Sequence, residues 1–124
     1  MPVKILVADD DYDNRTIIKQ VLEAAGYQVL EVVDGLEAVE AAMGEKPALI
    51  LMDLSMPKLN GWEAAKRLKA APETADIPIF AFTAHALAGD DIRAKAAGCD
   101  DYISKPCVPR EVLRKVQERL TLKN

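Results

Sequence analysis

Histidine and cysteine are scarce in this chain of 124 residues: there is one histidine, His85, and two cysteines, Cys99 and Cys107. No Cys-x-x-Cys occurs, so neither a zinc site nor a disulfide framework is encoded. Both thiols read as reduced, small apolar side chains, which fits a cytoplasmic protein. Long apolar runs are missing too. The longest, Ala48 to Met52, falls far below the roughly 20 residues that cross a bilayer, so membrane insertion is excluded. The start Met1-Pro2-Val3-Lys4 has no signal-peptide pattern. No G-x-G-x-x-G or G-x-x-x-x-G-K-[ST] stretch is present, so nucleotide binding has no support. Basic residues are outnumbered, with Lys plus Arg 16 against Asp plus Glu 20, a net charge of −4. Such a chain is ill suited to direct contact with nucleic-acid phosphates.

What is present is a globular balance of 50% hydrophobic and 29% charged residues, enough for one domain spanning residues 1–124. Two periodicities alternate along it. Val3 to Ala8, Val29 to Val33, Ala48 to Met52, Ile77 to Phe82 and Tyr102 to Ser104 read as five short strands. Between them, helical spacing predicts a helix from Asp13 to Ala25 stopped by Gly26, and one opened by Asp34 and Glu37 and ended by Gly44. A third is opened by Asn60 and Glu63, and an alanine-rich fourth runs from Leu87 to Ala97 and stops at Gly98. A last helix starts at Pro109, with Val112, Leu113, Val116 and Leu120 on one stripe. The signals are capping-box spacing, glycine stops and proline at a first helical position. Strands joined through helices must run parallel with right-handed crossovers. The expectation is therefore an α/β protein, a doubly wound five-stranded parallel sheet with five helices on its two faces.

In such sheets ligands bind at the carboxyl ends of the strands. Those ends carry Asp9-Asp10-Asp11, Asp53, Thr83 and Ser104-Lys105-Pro106. Each aspartate alone also serves as a cap or a loop residue, but together they set a charge problem. Two carboxylates about 5 Å apart repel by roughly 3 kcal/mol at an effective dielectric near 20. A hard divalent cation with oxygen ligands, the Mg²⁺ pattern, would relieve it. Lys105 supplies a second positive charge. A carboxylate held between a metal and a lysine stays ionised and nucleophilic. Metal, ammonium and a Thr hydroxyl around one carboxylate are also what a transferred phosphoryl group needs.

These residues resemble the receiver domain of two-component response regulators, especially the stand-alone, chemotaxis-regulator-like kind. The resemblance covers roughly Val3 to Leu122 and rests on four motifs in order: Asp9-Asp10, Leu51-Met52-Asp53-Leu54-Ser55-Met56-Pro57 with Gly61, Phe82-Thr83-Ala84, and Tyr102-Ile103-Ser104-Lys105-Pro106. It implies a flavodoxin-like sheet of order 2-1-3-4-5. By position, Asp53 is the implied phosphoacceptor. Asp10, Asp53 and the Ser55 carbonyl would bind Mg²⁺, and Asp9 would hold a metal-bound water. Lys105 would pair with the phosphoryl oxygens, Thr83 would report phosphorylation, and Tyr102 would be the aromatic switch. A cis Lys105-Pro106 bond is implied as well. The implied partners are a histidine kinase or histidine phosphotransfer protein, met through Asn14, Ile17, Ile18, Pro106 and Cys107, and a downstream target protein. Core packing must claim at least one of Ile17 and Ile18. The target would dock on the surface of the fourth helix, fifth strand and fifth helix, shifted in population by phosphorylation. With no effector segment expected after Asn124, output would pass to another protein or onward with the phosphate. The protein would be a switch that catalyses only its own phosphorylation and dephosphorylation.

Some positions depart from common family choices. Val108 stands where a capping residue is frequent before Pro109, a loss of about 1 kcal/mol. Ser55 and His85 occupy places that tune hydrolysis of the acyl phosphate in the family. A haloacid-dehalogenase-type phosphatase would want an aspartate where Ser55 stands. A flavodoxin-like electron carrier would want a phosphate-cradling loop in place of Asp9-Asp10-Asp11. A phosphorylation-independent binding module is the remaining alternative, and its mark would be loss of Asp10, Asp53 or Lys105, all of which are present.

Overall fold

Five strands form one parallel sheet: β1 (Lys4–Ala8), β2 (Gln28–Val32), β3 (Leu49–Asp53), β4 (Ile79–Thr83) and β5 (Asp101–Ser104). Their order is β2-β1-β3-β4-β5, as the resemblance implies. The computed structural model describes residues 3–54, 56, 58–83, 95, 98–104 and 108–122, with Thr83 and Leu122 by backbone alone. Four helices lie among the described residues: α1 (Tyr12–Ala24), α2 (Gly35–Glu45), α3 (Gly61–Ala70) and the C-terminal helix (Pro109–Leu122). The helix expected over Leu87–Ala97 lies outside them. So do His85, Ser55, Lys105, Pro106, Cys107 and the Lys105-Pro106 bond.

Strand alternation sorts the core into two layers. Leu6, Ala8, Ile50, Met52, Ile79 and Ala81 point to one face and pack with Ala38, Ala42, Ala64, Ala65 and Leu68 of α2 and α3. Ile5, Val7, Leu49, Leu51, Phe80, Phe82 and Ile103 point to the other and meet Ile18, Leu22, Val112 and Val116 of α1 and the C-terminal helix. All five residues of β3 are buried, whereas the edge strand β2 is half-exposed. That is the pattern of a central strand covered on both faces.

The expected caps form. Asp34 accepts from the Glu37 N–H at 2.9 Å, and Glu37 returns a bond to the Val33 N–H at 3.0 Å. Asn60 accepts from the Glu63 N–H at 3.0 Å. Each cap is worth about 1 kcal/mol. Val108 offers no such side chain; its carbonyl accepts from the N–H groups of Glu111 and Val112. Two boundaries correct the sequence expectation. Gly44 does not end α2: the helix continues to Glu45, and Lys46 takes the left-handed position with φ 48°. The buried Ala42 holds this last turn against the sheet, and a glycine there costs only about 1 kcal/mol. β4 begins at Ile79, not Ile77, because Pro78 has no N–H for the ladder; its carbonyl accepts from Ile50 instead.

At the amino end of the sheet, the Lys69 ammonium donates to the carbonyls of Ala75 and Ile77 and to Asp100. Cys99 lies beside this pair, buried and unbridged. Burial, and secondly the Asp100 charge, push its thiol up to about 11, against a smaller opposing pull from Lys69. An unfolded thiol ionises in its ordinary range while the folded one stays protonated. Above that range the unfolded state therefore binds fewer protons, and stability falls as pH rises. The loss should reach about 2–3 kcal/mol near pH 11. Urea unfolding at pH 8 and at pH 10.5 measures it, and Cys99→Ala should flatten the slope. An unaltered slope would contradict the assignment to Cys99.

Candidate metal and phosphoacceptor site

The sheet register brings the rim residues together. Ala8 pairs with Met52, so the residues that follow, Asp9 and Asp53, leave neighbouring strands side by side. Asp53 pairs with Phe82, and Thr83 pairs with Ser104. The backbone thus delivers Asp9, Asp53, Thr83 and Ser104 to one edge, with position 105 next along the chain. One carboxylate oxygen from each of Asp9, Asp10 and Asp53 lies within 4.8 Å of the other two.

The three consecutive aspartates divide the work. Asp11 is the cap of α1, accepting from the N–H groups of Asp13 at 3.0 Å and Asn14 at 3.3 Å. Asp9 is fully buried and held from two sides, by the Asp11 N–H at 2.9 Å and the Asn14 amide at 2.5 Å. Asp10 is exposed and Asp53 is 6% exposed. The Arg15 guanidinium donates to the Asp9 carbonyl at 2.9 Å and to Glu31 at 3.0 Å, and Lys19 meets the other Glu31 oxygen at 3.1 Å. Burial alone would raise the Glu31 carboxyl, but hydrogen bonds from Lys19 and Arg15 outweigh it and hold it below the usual range. The β1–α1 turn is thereby tied to β2.

The connection after Asp53 is held by close backbone approach. A Cβ on Gly61 would stand 2.3 Å from the Asp53 carbonyl oxygen and 2.7 Å from the Leu54 Cα. Only glycine lets α3 begin there. Its N–H donates to the Leu54 carbonyl at 3.2 Å, and the Leu54 N–H donates to Phe82 at 3.2 Å. Asp53 therefore sits on a short lever fixed to β4 and α3.

The donor set suits a small hard cation. All the donors are carboxylate oxygens, and Mg²⁺ at about 2.1 Å from octahedral ligands sets oxygen separations of roughly 3 to 4.2 Å. A spread within 4.8 Å is close to that. Both Asp9 oxygens already accept a hydrogen bond. Asp10 and Asp53 are the groups better disposed for direct ligation.

Of the residues expected to face a partner, one is placed otherwise. Ile18 is 1% exposed and belongs to the core between α1 and the sheet, so it cannot form an outer face; Ile17 is 45% exposed. Asn14 spends its amide on Asp9, where it braces the site. Tyr102 is half-buried against the α2–α3 side of the core. Sequence reasoning missed the bracing roles of Asn14, Arg15 and Gly61. The helical pitch from the Asp11 cap places Asn14 back over the turn, the one signal that was available.

A family model described as the response regulator receiver domain matches residues 5–117. The polar-differentiation response regulator DivK of Brucella anthropi is 40% identical over 111 residues, 89% of this chain and 90% of that protein. Among solved structures, the receiver domain of sensor histidine kinase PA1611 from Pseudomonas aeruginosa, with a magnesium ion coordinated in its active site cleft, superposes with a TM-score of 0.89. Identity there is 36%, covering 95% of this chain and 97% of that one. The Vibrio cholerae chemotaxis response regulator CheY4 gives a TM-score of 0.89 at 28% identity, over 95% and 98% of the two chains. The fold, the ordered motifs and these matches together make the chain a member of the response regulator receiver domain family.

Proposed function

We propose that the chain accepts a phosphoryl group onto Asp53 from a phosphohistidine of a sensor kinase or histidine phosphotransfer protein, with Mg²⁺ as cofactor. The observation that carries this is the convergence of Asp9, Asp10 and Asp53 oxygens at the carboxyl ends of β1 and β3. In the reaction, an Asp53 carboxylate oxygen forms a bond to phosphorus while the phosphorus–nitrogen bond of the donor breaks. The electron pair leaves with the imidazole, and the product is an acyl phosphate. Bound Mg²⁺ supplies charge stabilisation for the transferred oxygens.

This chain's own residues do the rest. Asp10 and Asp53 would hold the ion directly, with the Ser55 carbonyl as a third ligand, and Asp9 would orient a water on it. Lys105 pairs with the phosphoryl oxygens. Thr83 donates a hydrogen bond to one of them, and Tyr102 turns inward as Thr83 moves. The added charge, up to about −2, then biases the surface of the fourth helix, β5 and the C-terminal helix toward a target protein, or the phosphate is relayed. The exposed Ile17 belongs to the kinase-facing side, together with Pro106 and Cys107. The protein catalyses only its own phosphorylation and dephosphorylation, and it works in the cytoplasm. No helix among the described residues is long and apolar enough to cross a membrane.

Trp62 reads the site. It follows Gly61, whose backbone touches that of Asp53, and it packs partly buried against the core. A Mg²⁺ titration is expected to change its fluorescence saturably, and Asp53→Asn should weaken the response at least tenfold in Mg²⁺. A flat titration of the unaltered chain would count against the metal site.

A further inference from the structure

The first turn of α2 lies against the segment that leads from the site to α3. A Cβ on Gly35 would stand 1.8 Å from the Leu59 carbonyl oxygen, 2.6 Å from its carbon and 2.9 Å from its Cβ. No flexible side-chain end is there to yield; the obstacle is backbone. Asp34, 3% exposed, caps the same turn and has the Lys58 ammonium at 3.6 Å. Lys58 itself is held at φ 65°, a left-handed conformation that non-glycine residues adopt at a cost. Leu59 leads to Asn60, which caps α3, and then to Gly61, which lies against the Asp53 carbonyl. Two side-chain-free contacts thus bound the connection: Gly35 against Leu59 at one end, Gly61 against Asp53 at the other.

We propose that Asp34 and Gly35 are positioning residues that set the divalent-cation affinity of the site by bracing the β3–α3 connection against α2. The inference rests on the reading of Asp9, Asp10 and Asp53 as a Mg²⁺ site. A methyl group at position 35 must displace the Leu59 carbonyl by more than 1 Å to reach a tolerable contact. Leu59 is joined directly to Asn60 and Gly61, so that displacement is passed toward the contact with Asp53 or into a tilt of α3. Ligand geometry that must hold to about 0.5 Å is lost by such a shift, without change to any ligand.

The test is calorimetric Mg²⁺ binding to the full chain and to Gly35→Ala, beside Val116→Ala. Val116 is fully buried on the opposite face of the sheet, so its truncation destabilises the fold without touching the connection. Gly35→Ala should bind Mg²⁺ at least tenfold more weakly, and Val116→Ala within twofold of the unaltered chain. Binding by Gly35→Ala within twofold, or equal weakening in Val116→Ala, would overturn the proposal. Should Gly35→Ala fail to fold, Asp34→Asn keeps an oxygen for the Glu37 cap and removes the charge beside Lys58. It should weaken Mg²⁺ about threefold, and unchanged affinity would overturn the proposal. If the unaltered chain shows no saturable Mg²⁺ binding, the reading of the site fails, and this inference with it. If it binds and Gly35→Ala and Asp34→Asn match it, only the brace is refuted.

Discussion

Incubation with acetyl phosphate and Mg²⁺ is expected to add one phosphoryl group to this chain, and none to Asp53→Ala or Asp53→Asn. The expectation follows from position. Asp53 ends a strand buried along its whole length, is 6% exposed, and is the aspartate of the cluster carried by a strand rather than by the β1–α1 turn. Asp53→Asn nearly preserves shape and leaves Asp9 and Asp10 in place. Its loss of uptake would therefore reflect loss of Asp53 itself, as nucleophile and as Mg²⁺ ligand, and not collapse of the fold. Intact-mass measurement on folded samples reads the result. Equal uptake by the variants would remove Asp53 from the chemistry.

Asp10→Asn should change stability with opposite sign in the two conditions. Without Mg²⁺ the three clustered carboxylates repel one another. Asp10 is the exposed one, so solvent screens much of the roughly 3 kcal/mol that Coulomb's law gives at 5 Å. Removing its charge should stabilise the fold by about 1 kcal/mol, or about 3–6 °C in Tm. With Mg²⁺ at 100 times its Kd, the unaltered chain gains about 2.7 kcal/mol, and Asp10→Asn loses most of that gain. The order of the two melting curves therefore inverts on adding Mg²⁺. A variant less stable than the parent in both conditions would mean that Asp10 serves folding instead.

Much of this was legible in the sequence because it is written locally. Capping pairs such as Asp34 with Glu37 and Asn60 with Glu63 sit three residues apart and formed as spacing predicts. The apolar run of β3 announced a strand covered on both faces, and parallel pairing then forced Asp9 and Asp53 to one rim. What escaped was settled by neighbours distant in sequence. Gly44 looked like a stop, but burial of Ala42 carried α2 past it. Ile17 and Ile18 are alike as residues, and only the packing of α1 on the sheet tells which is inside. Gly35 and Gly61 carry no side-chain signal; their role is the space they leave for Leu59 and Asp53.

The most direct measurement reduces the phosphorylated chain with borohydride, which converts an aspartyl phosphate to homoserine, and locates the change by peptide sequencing in a mass spectrometer. Homoserine at position 53 is the predicted result. Homoserine at Asp9, Asp10 or any other carboxylate, or none after demonstrated phosphoryl uptake, would contradict the account.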